Sequence, residues 1–214
     1  MAPSSARSAP GREPPDERQG TPAAARCAIM VSQSAGAKRT IALESNAPME
    51  TQRDMKATLE ALAAFPAQLE AHFNCFPSSH QNWRPRSWEG IPSERLTAIE
   101  QLCHVKDIEI EGYQVRFRRT RADSNPVLPD LPGELMARER RYADADARRV
   151  LKEFADARAA TVAAIRAFSD TELSRPATFE GQPTTLAGLV HFLCSHDCQH
   201  LSGLQWLLAK IEGT

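Results

Sequence analysis

His196 and His200 stand four residues apart in "TLAGLVHFLCSHDCQHLSGLQWLLAKI", a stretch that is otherwise largely apolar. Residues at i and i+4 of a helix face the same way about 6 Å apart, close enough for two imidazoles to share one divalent ion. A wheel drawn at about 100° per residue puts Leu186, Leu189, Leu193, Leu204 and Leu207 on one stripe together with both histidines. His191 falls on the far side, near Cys198. Both ring nitrogens of a buried imidazole need partners, and two rings stacked one turn apart need several. A shared metal ion meets that need, and a hydrogen-bonded core pair is the alternative; the stacking favours the metal. A zinc protease also spaces two histidines by four, but it follows the first with Glu as general base. Here Asp197, one carbon shorter, holds that place, so the protease reading is poor. A third ligand is then expected from upstream: His72, His80, His104 or a carboxylate.

These side chains need helices to carry them. From about residue 50, "METQRDMKATLEALAAFPAQLEAHFNCF" places Met55, Leu59, Leu62, Leu69 and Phe73 at helical spacing, with Pro66 expected to kink or break the helix. A loop rich in Pro, Ser and Gly follows. Thr97 and Glu100 then have the spacing of a capping box, which predicts a second helix running to about Arg121. Its wheel is apolar on two sides: Ile99, Leu102, Cys103, Ile110, Tyr113 and Phe117 on one, His104 with Ile108 and Val115 on the other. Periodicity alone does not aim His104 at the pair. After the Pro-rich connection "RADSNPVLPDLPG", a short helix is expected in "ELMARERRY". A long one starts near residue 146, capped by Asp144 or Asp146, with Arg158 among its apolar residues. Thr184 or Thr185 is the expected cap of the last helix. No useful strand alternation is seen, so four principal helices predict an all-α bundle.

The tail differs. Residues 1–49 are rich in Pro, Ser, Ala and Arg, and no aromatic residue precedes Phe65, so this segment is expected to be disordered or a non-native extension of a domain at 50–214. A transit peptide is the rival reading, opposed by Glu13, Asp16 and Glu17, and a start at Met30 or Met49 is a third. The 26 basic and 27 acidic residues nearly cancel, which gives no electrostatic case for nucleic acid or an anionic membrane. The polar residues of the last helix interrupt its apolar run short of a membrane span. Five cysteines without C-x-x-C spacing read as reduced thiols in a cytoplasm.

Two segments carry a family resemblance. "LTAIEQLCHVKDIEIEGY" resembles the second helix of the DinB-like (YfiT-like) metal-binding four-helix-bundle superfamily, and "TLAGLVHFLCSHDCQHLSGL" resembles its fourth. "NWRPRSW" and "RYADADARRVLKEFADARAATVAAI" are also similar, and the likeness spans roughly residues 50 to 212. It implies an up-down-down-up bundle and a zinc or nickel ion held by His104, His196 and His200, with solvent completing the shell. It further implies either a transferase or isomerase that uses a low-molecular-weight thiol, or a hydrolase, and a homodimer. Two departures stand out: Leu96-Thr97 occupies the place of a common Trp-Ser, and Leu201-Ser202-Gly203 that of a common Arg-Gly-Gln.

Around this set, Asp107 lies one turn from His104 and could orient an imidazole or move a proton, or simply be a surface carboxylate. Arg158 is either a snorkelling arginine or a core cation aimed at Asp107, Glu109, Glu111 or an anionic substrate. Cys103 and Cys198 are read as small packing residues, and Trp83 and Trp88 as covers on the bundle end. The expected function is a metal-dependent enzyme acting on a small molecule. A non-catalytic metal-binding or stress-responsive bundle is the alternative, and a metal-free interaction module the third.

Overall fold

In the computed structural model, residues 47–213 are described, with side chains from Met55 onward. The expectation for the tail therefore lies outside the described residues, apart from its last three. Four long helical rods dominate: α1 (Ala47–Phe73), a second rod made of α2 (Ala98–Asp107), a π-helical turn (Ile108–Tyr113) and α3 (Gln114–Ala122), then α5 (Ala147–Arg166) and α7 (Leu186–Glu212). The short helices α4 (Gly133–Glu139) and α6 (Asp170–Leu173) lie in the connections.

The predicted caps form. Glu100 Oε2 accepts from the Thr97 backbone N–H at 2.8 Å, the carboxylate half of the box, Asp146 Oδ1 accepts from the amides of Arg148 and Arg149, and Thr185 Oγ1 accepts from Gly188 N. Pro66 does not end α1. Its missing N–H leaves the Leu62 carbonyl free, and Arg158 Nη1 fills that place at 3.2 Å.

Cross-rod pairs fix the directions. Thr58 meets His191 and His72 meets Gln205, so α1 and α7 run parallel. Leu62 meets Arg158 and Phe65 meets Phe154, so α1 and α5 are antiparallel. Glu109 with Arg158, and Gln114 with Ala157 and Thr161, align the second rod with α5. Gln101 with His200 and Tyr113 with His196 oppose it to α7. The result is up-down-down-up.

The expectation of no strands needs correcting. β1 (Val127–Leu128) pairs in parallel with β2 (Pro176–Phe179), which forms a hairpin with β3 (Gln182–Thr185). The hairpin turns at Glu180 and Gly181, both left-handed (φ 50° and 73°), as a two-residue loop of this twist requires. Strands of two to four residues, two of them containing a proline, leave little alternation to read.

The core has two apolar regions. One gathers Phe65, Leu69, Phe73, Leu102, Phe154, Leu204 and Leu207; the other gathers Leu62, Ile108, Tyr113, Val162, Leu189 and Leu193. Along each inner rod the switch between them passes through buried polar residues: His104, Asp107 and Glu109 on the second rod, Arg158 on α5, and Asp197 and His200 on α7. A polar layer thus crosses the middle of the bundle. Among the described residues, no helix is long and apolar enough to cross a membrane.

Candidate metal centre

His104 comes from the buried first half of the second rod, and His196 and His200 come from successive turns of α7. Their Nε2 atoms converge: His104 to His196 at 3.2 Å, and His196 to His200 at 3.1 Å. Glu94, on the loop before α2, adds a carboxylate, with Oε1 3.3 Å from His104 Nε2 and Oε2 3.3 Å from His200 Nε2. The four donor atoms all lie within 4.8 Å of one another. Four donors at about 2.0–2.1 Å from a tetrahedral ion have edges of roughly 3.3–3.4 Å, close to the separations found here. Two facing Nε2 atoms share at most one hydrogen between them when neutral, so three lone pairs aimed at one point are better satisfied by a cation. The residues fit a divalent metal.

The outer nitrogens set the tautomers. His200 Nδ1 lies 3.1 Å from Gln101 Oε1, so it carries the hydrogen and leaves Nε2 free to bind. The Nδ1 atoms of His104 and His196 are buried without a protein partner. Two glycines leave room for this arrangement. A Cβ on Gly133 would come within 2.5 Å of His104 Cε1 and 2.6 Å of its Nδ1. One on Gly203 would lie 2.3 Å from Ser93 Oγ and 2.8 Å from Gln101 Oε1. The Leu201-Ser202-Gly203 segment therefore shapes the centre by what position 203 lacks.

Burial disfavours the charged imidazolium, holding His200 below the ordinary histidine range and His196 well below it, with like-charged neighbours adding to the effect at His196. Both are then neutral, the form that binds metal.

Residues 61–203 match the DinB superfamily. The chain belongs to that superfamily. Among solved structures it is similar to YfiT from Bacillus subtilis, described as a probable metal-dependent hydrolase with an unusual four-helix bundle topology. The TM-score is 0.65 at 16% identity, covering 79% of this chain and 91% of that one. No curated protein matches.

In this DinB-superfamily chain, the other candidates of the sequence fall elsewhere. His191 bonds to Thr58 on the exposed side of α7, His72 to Gln205, and His80 to Ser79. Asp107 is buried but turned to Tyr142 (2.5 Å), Arg140 (2.6 Å) and Lys106 (3.0 Å), not to an imidazole. Burial raises its pKa, but the hydrogen bonds from Tyr142, Lys106 and Arg140 prevail and hold it below the usual range. Arg158 is a core cation, gripping Glu109 (2.9 and 3.1 Å) and Asp197 (2.5 and 3.0 Å). Burial still pushes the Asp197 carboxyl up to about 7 against the pull of Arg158. Cys103 donates to the Tyr142 carbonyl, and burial pushes its thiol up to about 12, consistent with a packing residue. Trp88 stacks on Trp206.

Two residues, the loop ligand Glu94 and the buried Asp197, were missed from sequence. Glu94 sits in an irregular loop, where no periodicity reports direction, and "carboxylate" was the only hint. Asp197 adjoins His196, is 3% exposed, and borders the leucine stripe on the side opposite His196, so the wheel did carry a signal for it.

Proposed function

We propose that this protein is a metal-dependent enzyme whose zinc or nickel ion is held by His104, His196 and His200, and which acts on a small electrophilic substrate. The observation that carries the reading is the convergence of three Nε2 atoms inside the bundle, His196 lying 3.2 Å from His104 and 3.1 Å from His200, with Gln101 holding the hydrogen of His200 on its outer nitrogen. Held by these three histidines, a divalent ion would supply Lewis acidity, enough to favour the deprotonated form of a bound water or low-molecular-weight thiol near neutral pH. The half-buried edge of His196 and the half-exposed Glu94 form the approach. The Tyr113 ring, 6.1 Å from that of His196, lends an apolar wall. Glu94 is the carboxylate placed to take a proton from an incoming nucleophile; Asp107, committed to Tyr142 and Arg140, is not. The similarity to a probable metal-dependent hydrolase supports hydrolysis as one outcome, and thiol transfer is the other.

A second reading rests on Glu94 itself. Four protein donors complete a tetrahedral shell, as in structural sites, and that favours a non-catalytic metal-binding protein. Metal analysis of the purified protein, followed by a screen of esters, amides and alkylating electrophiles with and without cellular thiols, tests both. Turnover that chelation abolishes supports the enzyme. A full equivalent of metal with no turnover on any class supports the second reading, and less than about half an equivalent after reloading removes both.

A further inference from the structure

The four donors are not equivalent. His104 and His200 are 1% and 0% exposed and stand on helices, whereas the Glu94 side chain is 37% exposed and stands on a loop. We propose that Glu94 is the exchangeable ligand of this centre, holding the fourth position at rest and yielding it to an incoming anionic donor such as a thiolate or an oxyanion. The proposal rests on the metal reading above and resolves its two versions, since a shell that is closed at rest opens when substrate arrives.

The loop is built for reversible placement. At its far end Arg84 pairs with Glu100 at 2.5 Å, and Trp88 stacks on Trp206, fixing the base of the strap to α2 and α7. Beside Glu94, the neighbouring Arg95 grips Glu134 on α4 with two bonds of 3.0 and 3.2 Å, and both partners are exposed. Exposed ion pairs are weakly held and screened by salt. Ser93 lies against Gly203, in the space left by the missing Cβ. The carboxylate is thus carried between a firm anchor and a weak one, with each oxygen reaching a different imidazole. His104 and His200 are enclosed by the core and have no open space to swing into, whereas Glu94 can leave toward solvent by rotating its own side chain. An anionic donor replaces it without changing the net charge of the centre, which selects against neutral competitors.

The test uses the full chain loaded with cobalt(II), in the wild type, Glu94→Ala and Glu94→Gln. Metal content, circular dichroism and the visible absorption band are read, and azide serves as the anionic probe. The expected result is one equivalent of cobalt in all three, a band shifted in both variants, and azide binding that is detectable in the wild type and at least tenfold tighter in Glu94→Ala. An unshifted band with equal azide affinities would show that Glu94 is not a ligand. Loss of cobalt in a folded Glu94→Ala, or azide binding in the variant but none in the wild type, would show a fixed ligand; either overturns the proposal. Failure of the wild type itself to bind cobalt would remove the metal reading and this inference with it.

Discussion

Arg158 donates to the backbone carbonyl of Leu62, the acceptor that Pro66 leaves without its helical partner. One guanidinium therefore serves a proline in α1, Glu109 in the π-helical turn and Asp197 in α7, and stacks on Phe65 and Phe154. Removing it strands two buried carboxylates and a carbonyl. Arg158→Met is expected to destabilise the fold by about 3–5 kcal/mol, the magnitude for breaking a buried charge network on one side. Thermal denaturation reads this as a fall of roughly 6–20 °C in Tm. A change of under about 2 °C would mean that the carboxylates find other partners. Arg158→Lys keeps the charge but not the fork, so it belongs between the two.

Histidine replacements separate the centre from its surroundings. His196→Ala and His200→Ala are each expected to abolish stoichiometric zinc binding in equilibrium dialysis, because each removes a converging Nε2. His191→Ala removes only an exposed bond to Thr58 and leaves binding and Tm unchanged. Equal damage from His191→Ala and His200→Ala would contradict the placement of the leucine stripe.

The legible part of this fold follows one rule. Where a helix keeps its phase, the wheel works: in α7 the leucines and both histidines share the inward stripe, and His191 does not. In the second rod the phase breaks. The π-helical turn inserts an extra residue between His104 and Tyr113, so a wheel carried from Ile99 to Phe117 mixes two faces. Ile110, placed on the apolar side by the wheel, is 38% exposed, and His104, placed off it, is buried. Ala98–Val105 are buried all round, so the two apolar sides read from sequence mark an inner helix, as does the burial of His104. Arg158 could be recognised as out of place on an apolar stripe, and Glu109, 49 residues away, was among the acids it could reach; Asp197, 39 residues away, was not. Glu94 depends on loop geometry, which composition does not encode.

The orientation of two imidazoles rests on small contacts. Gln101 fixes the His200 tautomer, and Gly133 lies where a methyl would strike His104. Gln101→Leu and Gly133→Ala are each expected to weaken zinc affinity by about 10–100-fold, as outer-shell changes do, with helical circular dichroism intact. Competition against a chromophoric chelator measures it. Undiminished affinity in Gly133→Ala would mean that α4 moves aside freely.

Asp107 governs acid stability and not metal binding. Hydrogen bonds from Tyr142, Lys106 and Arg140 overcome burial and lower its folded-state pKa, so it binds protons less readily folded than unfolded. A depressed carboxyl stabilises the fold above its unfolded value of about 3.9, and that contribution fades as the pH falls through the folded value. Asp107→Asn removes the dependence while weakening the charged bonds to Arg140 and Lys106. Urea denaturation across the acid range is expected to show the variant less stable than the wild type at neutral pH, with the two curves converging from about pH 4 downward. Zinc affinity at neutral pH stays equal, since no Asp107 oxygen bonds to an imidazole. Parallel stability curves at every pH would show that the carboxylate is not held by these partners. A loss of zinc in Asp107→Asn would return it to the metal centre as a positioning group.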